Sequence, residues 1–109
     1  MVATFEVLEI SIELVGQLRG IVRSLERRDR DLASQIRRAA SSIALNLGES
    51  RGRQGKDRVH HFRIARGSAE EVHAALRVAM AWGDLDQAAA GAAFAALRSV
   101  LAITRALSR

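Results

Sequence analysis

Apolar residues recur at intervals of three and four along four separate stretches of this 109-residue chain, and no proline interrupts any of them. That spacing stacks side chains on one face of an α-helix, whereas a strand repeats every second residue. The first stretch offers Phe5, Leu8, Ile12, Val15, Leu18, Val22 and Leu25, and the second Leu32, Ile36, Ala39, Ala40, Ile43 and Leu47. The third offers Phe62, Ala65, Ala69, Val72, Leu76, Ala79 and Met80. In the fourth, Leu85, Ala89, Ala93, Ala96, Val100, Ile103 and Leu107 make one face, and Phe94, Leu97 and Leu101 another. The short segments "RSLERRDRD", "RGRQGKD" and "AWGDLD" separate them. Short connections make successive helices antiparallel neighbours. The expected architecture is therefore all-α: one domain over residues 1–109, an antiparallel up-down-up-down four-helix bundle.

The connections carry their own signals. Asp29 or Asp31 can cap helix two, because a short carboxylate accepts the free backbone N–H groups of a first turn. Gly52 marks its stop, and helix three resumes from about Asp57. Gly83 ends helix three, and Asp84 can cap helix four from Leu85.

Helix one carries a second apolar set, Val7, Ile10, Leu14 and Ile21, and helix four is uncharged from Gln87 to Leu97. Exposed large apolar side chains forgo about 1.5–3 kcal/mol each of burial. These wide apolar faces predict a homo-oligomer that uses helix one or four as its interface. The alternative is a narrow alanine-rich monomer with the extra aliphatics at its margins.

Charge is segregated. Residues 1–18 hold Glu6, Glu9 and Glu13 and no base, residues 19–66 hold thirteen bases against five acids, and the remainder balances. A basic middle suits phosphate binding. Sixteen of the seventeen bases are arginine, so compositional arginine bias is the competing explanation. With no tyrosine and few aromatics, contact with a phosphate backbone is expected over base stacking.

Several chemistries are disfavoured. Without cysteine there is no disulfide framework and no thiolate site. Serines without a His–Asp partnership give no activated nucleophile, and "RGRQG" lacks the lysine and preceding strand of a P-loop. Glu70 and His73 have the ExxH spacing of di-iron bundles, but that chemistry needs two such motifs. His60 and His61 are adjacent and diverge by about 100° on a helix. No enzymatic activity, metal or cofactor is expected. An acidic start and the lack of an uncharged run near the ~20 residues of a membrane span argue for a cytoplasmic chain without a membrane partner.

"SQIRRAASSIALNLGESRGR" (residues 34–53) followed by "IARGSAEEV" (residues 64–72) resembles the bacterial four-helix-bundle family, also called the intervening-sequence protein family. Its members are often encoded within insertions in the large ribosomal RNA gene. The resemblance implies a four-helix protomer in a ring-like homo-oligomer, typically a pentamer, with no enzymatic activity. The accessory protein of diversity-generating retroelements, a basic pentamer that engages RNA and a reverse transcriptase, is similar. Arg58 and His61 stand here where relatives tend to carry phenylalanine.

Two residue sets follow. Arg27, Arg28 and Arg30 before helix two, and Arg51, Arg53, Lys56 and Arg58 around the next loop, are the candidates for contacting structured RNA. Helix two separates the two clusters by roughly 30 Å. Arg38, Asn46, Glu49, Arg66 and Glu70 are expected to form a structural polar network between helices or protomers. The alternative function is a structural or protein-interaction oligomer without a nucleic-acid role.

Overall fold

A computed structural model describes residues 2–109, with only the backbone of residue 2 described. It contains α1 (Val2–Glu26), α2 (Arg30–Ser50), α3 (Gly55–Ala81) and α4 (Gln87–Leu107). Each helix packs on its sequence neighbours, and α4 returns to close on α1. The polar contacts fix the directions. His61 meets Asn46 and Ser68 meets Ser42, which runs α3 antiparallel to α2. Arg28 reaches Asp84, so the α1–α2 and α3–α4 turns share one end. Arg51 lies over the Phe5 ring, so the start of α1 and the α2–α3 loop share the other. The bundle measures 42 × 22 × 20 Å, with its long dimension along the helices.

The helix ends have physical causes. Asp29 is the cap of α2, its carboxylate accepting from the Leu32 N–H at 3.0 Å. Asp86 caps α4 by accepting from Ala89 N–H at 2.7 Å, where Asp84 and a start at Leu85 had been expected. Asp84 faces Arg28 instead. Gly83 closes α3 with φ of 79°, and the Asp84 N–H bonds back to the Ala79 carbonyl at 2.9 Å. That left-handed backbone favours glycine. Among the described residues, the other with left-handed backbone is Gly55, at the first turn of α3 and two residues ahead of the expected start.

The core faces of α2 and α3 are as the periodicity predicts, with Ile36, Ile43, Leu47, Val72 and Leu76 fully buried. Helix α1 is rotated from expectation. Its buried face is Thr4, Val7, Ser11, Leu14, Leu18, Ile21, Val22 and Leu25, while Phe5, Ile12 and Val15 are exposed. Polar residues hid this stripe. Ser11 enters the core because its hydroxyl donates to the Leu8 carbonyl at 2.7 Å. Thr104 does the same on α4, donating to Val100 at 2.7 Å.

Helix α4 also departs from expectation. It leaves no large apolar side chain exposed: Leu97 and Leu101 are buried, and Phe94, Ile103 and Leu107 pack against the core. Its outer face carries alanines such as Ala88, Ala92 and Ala95. The large apolar surplus therefore lies on α1, with Leu45, Val78 and Trp82 exposed elsewhere. By length and composition, α4 is apolar enough to cross a membrane, despite the sequence reading. In this bundle the face bearing Ala90, Ala93, Leu97, Val100 and Thr104 is buried in the protein.

Leu47 is fully buried in the core cluster, with neighbouring helices on both flanks of α2. Leu47→Ala should destabilise the fold by roughly 2–5 kcal/mol through lost burial and a residual cavity. Urea unfolding followed by circular dichroism measures this.

Candidate nucleic-acid interface

The predicted polar set resolves into separate clusters. Asn46 donates its amide to the Ser42 carbonyl and hydroxyl at 2.9 and 3.1 Å. Its carbonyl oxygen is then the acceptor for His61 Nδ1 at 2.9 Å, which places the imidazole hydrogen on Nδ1. Ser68 donates to the Ser42 hydroxyl at 2.8 Å and completes this α2–α3 cluster. His61 and Ser68 were absent from the expected network, although the four-residue recurrence of Ser42 and Asn46 pointed to this face.

The remaining members lie elsewhere. Arg38 is exposed and makes no ion pair among the described residues. Glu70 pairs with Arg105 of α4 at 2.9 Å, and Arg66 reaches the Ser108 hydroxyl at 3.5 Å. Glu49 belongs to the α2–α3 loop. Among the described residues of this protomer no single network joins Arg38, Asn46, Glu49, Arg66 and Glu70: Asn46 bonds to Ser42 and His61, Glu49 to Arg53, and Arg66 and Glu70 turn to the end of α4.

The loop cluster is largely committed to structure. Arg53 donates to Glu49 at 2.6 Å and to Asp57 at 2.9 Å, so two carboxylates flank one guanidinium. The hydrogen bond from Arg53 holds the Glu49 carboxyl below its ordinary value of 4.5, and Glu49 in turn raises Arg53. Arg58 is half-buried and donates Nε to the Ser50 carbonyl at 3.1 Å, satisfying a last-turn acceptor of α2. Arg51 stacks 5.5 Å from the centroid of Phe5. Lys56 is exposed and outside any ion pair among the described residues. Of the four cations expected here, Arg51 and Lys56 are the two that neither an ion pair nor a side-chain hydrogen bond holds among the described residues.

The opposite end is different. Arg28 stands 3.8 Å from Asp84, with most of its side chain in solvent. Arg27 and Arg30 line a groove between α1 and α2, together with Arg23 and Arg37. This cavity, about 930 Å³, adjoins a second of about 460 Å³ that adds Arg19 and runs on to Val15 and Gly16. Glu26 is the acid among the lining residues. None of these five arginines forms an ion pair among the described residues. Sequence reasoning placed Arg19, Arg23 and Arg37 within the basic middle and not in a site. The signal for them was the four-residue interval from Arg19 to Arg23 to Arg27, joined to Arg30 and Arg37 seven apart.

The histidines and acids are dispersed. His73 packs edge-on to Phe94 with centroids 5.3 Å apart, and His60 meets His61 at 5.6 Å. Among the described residues, no group of three or more His, Asp or Glu is placed to hold a metal ion.

Four helices packed around one core, with a basic groove between α1 and α2, place this chain among the helical-bundle proteins. A family profile described as 23S rRNA-intervening sequence protein matches residues 3–105, and the chain belongs to that family. Its fold is similar to a crystal structure of a protein of unknown function from the S23 ribosomal protein family of Bacteroides thetaiotaomicron. The two share 19% identity at a TM-score of 0.75, over 93% of this chain and 94% of the other. No curated protein matches the chain. Neither description names an enzymatic activity.

The Glu49 pair yields a titration test. Its depressed folded-state pKa gives a contribution to stability that is complete above pH 4.5 and is lost as pH falls through the lowered value. In Arg53→Gln, the Glu49 midpoint should return toward 4.5, as read from its side-chain carboxyl carbon by NMR.

Proposed function

We propose that this chain is a non-enzymatic, self-associating helical bundle of the cytoplasm that binds structured RNA through the phosphate backbone. The supporting observation is the groove between α1 and α2, which gathers five arginines that form no ion pair among the described residues, with Glu26 the one acid in its lining. Guanidinium forks suit phosphate oxygens, and binding them releases condensed counterions. The family description, 23S rRNA-intervening sequence protein, points toward ribosomal RNA as a source of such a ligand. Of the sequence-predicted contact residues, Arg27 and Arg30 serve this reading best, with Arg28, Arg51 and Lys56 as outlying charges. Arg53 and Arg58 act in structure.

Self-association has its own support in Phe5, Ile12 and Val15, which are exposed along one face of α1. Their burial against another protomer would contribute about 1.5–3 kcal/mol per large side chain. A pentameric ring is the assembly that family resemblance implies, and it would repeat each basic groove and add weak contacts by avidity. The second functional reading, a protein-interaction oligomer with no nucleic-acid role, is favoured by the same apolar face.

Sedimentation velocity tests assembly: Ile12→Glu should shift an oligomer toward monomer while leaving helicity unchanged. Fluorescence anisotropy with a labelled structured RNA, titrated with salt beside a matched DNA duplex, tests the ligand. RNA preference that persists at physiological salt supports the RNA role. Equal binding to both that vanishes with modest salt refutes it and leaves the protein-interaction reading.

A further inference from the structure

We infer that the α1–α2 groove holds one phosphodiester strand of a folded RNA, with Arg19, Arg23 and Arg27 gripping it from one wall and Arg30 and Arg37 from the other. The inference rests on the RNA-binding reading above and assigns that binding to a helix–helix groove in place of the loops.

Charge is the first support. Five guanidinium groups face a groove with Glu26 as the one acid among its lining residues, and none of the five is held in an ion pair among the described residues. Arg53, by contrast, is bracketed by Glu49 and Asp57. A groove arginine gives up only water and counterions to meet a phosphate, whereas Arg53 must first lose two protein partners.

Shape is the second. Ala33, Ser34, Ala40 and Ser41 line the groove from α2 and Gly16 from α1, leaving depth between longer arginine side chains. Arg19 and Arg23 are one turn apart, about 6 Å along the axis, a step similar to that between neighbouring phosphates of one strand. Arg30 and Arg37 are about 10 Å apart on the opposing helix.

Chemistry is the third. No aromatic residue lines either part of the groove, so it has no stacking platform and grips backbone. Ser34 and Ser41 supply hydroxyls along it that can hydrogen-bond ribose 2′-hydroxyls, the group that DNA lacks. An acidic peptide would meet the same arginines but has no 2′-hydroxyl for those serines.

The test is anisotropy of the full chain with an RNA hairpin bearing a single-stranded tail, over a salt series. Two double variants are compared, Arg23→Gln with Arg37→Gln in the groove and Arg51→Gln with Lys56→Gln in the loop. The groove variant should bind about tenfold more weakly at physiological salt. Its slope of log K against log salt should be shallower by between about 1.4 and 2. The loop variant should stay near wild type, and Ser34→Ala with Ser41→Ala should narrow the preference for RNA over DNA. Arg23→Lys with Arg37→Lys keeps the charges and should retain the wild-type slope, separating charge loss from misfolding, with circular dichroism as the check.

Loss of binding in the loop variant alone would overturn the groove and leave the RNA reading standing. No binding of the hairpin by the wild-type chain would remove both. Displacement of the hairpin by polyglutamate as effectively as by unlabelled RNA would overturn the strand assignment in favour of an acidic protein segment.

Discussion

Closure of α4 against α1 sets what the rest of this protein presents to solvent. Helix α1 is apolar around much of its circumference, so its rotation is not decided by its own pattern. Packing against both α2 and α4 decides it, turning Val7, Leu14, Leu18 and Ile21 inward. The alanines at positions 90 and 93 leave room for close approach of the helices, and Ser11 and Thr104 bury their hydroxyls by bonding to their own helix backbones. An unsatisfied buried hydroxyl would cost about 1–3 kcal/mol, so those local bonds permit this face to be the core.

The outward face of α1 follows from that rotation. Phe5, Ile12 and Val15 occupy its first half, and Arg19 and Arg23 continue the same three-to-four spacing in its second. One helix face is therefore apolar at one end of the bundle and cationic at the other. Helix α2 answers in the antiparallel sense, with Leu45 exposed toward the apolar end and Arg37 and Arg30 toward the basic end. The two halves suit different partners. Apolar side chains gain by excluding water, while exposed guanidinium groups gain from an anion that brings its own charge and oxygen acceptors.

The two basic ends differ in what surrounds their charges. In the loop, Glu49, Arg53 and Asp57 are spaced four residues apart across the connection and meet as ion pairs. Such pairs in solvent are worth little to stability, but they occupy the arginine. At the other end, Asp29 caps α2, Asp84 reaches across from the α3–α4 turn to face Arg28, and Glu26 lines the groove. Among the described residues none of the groove arginines forms an ion pair.

Much of the fold was legible because helix periodicity and capping are local. The faces of α2 and α3 could be read directly, since their apolar residues form one stripe each with charges opposite. Asp29 was readable as a cap for the same reason. The rotation of α1, the inward Ser11 and Thr104, and the shift from Asp84 to Asp86 were not, since each depends on a neighbouring helix or a local backbone bond that leaves no period. At the candidate site, sequence alone determined that the middle of the chain is cationic and that Arg27 and Arg30 precede or open α2. Only the tertiary structure decided that Arg53 and Arg58 are spent on carboxylates and a carbonyl, and that Arg19, Arg23 and Arg37 join Arg27 and Arg30 in one groove. Charge is a property of composition, but whether a charge is free depends on which acids the fold brings beside it.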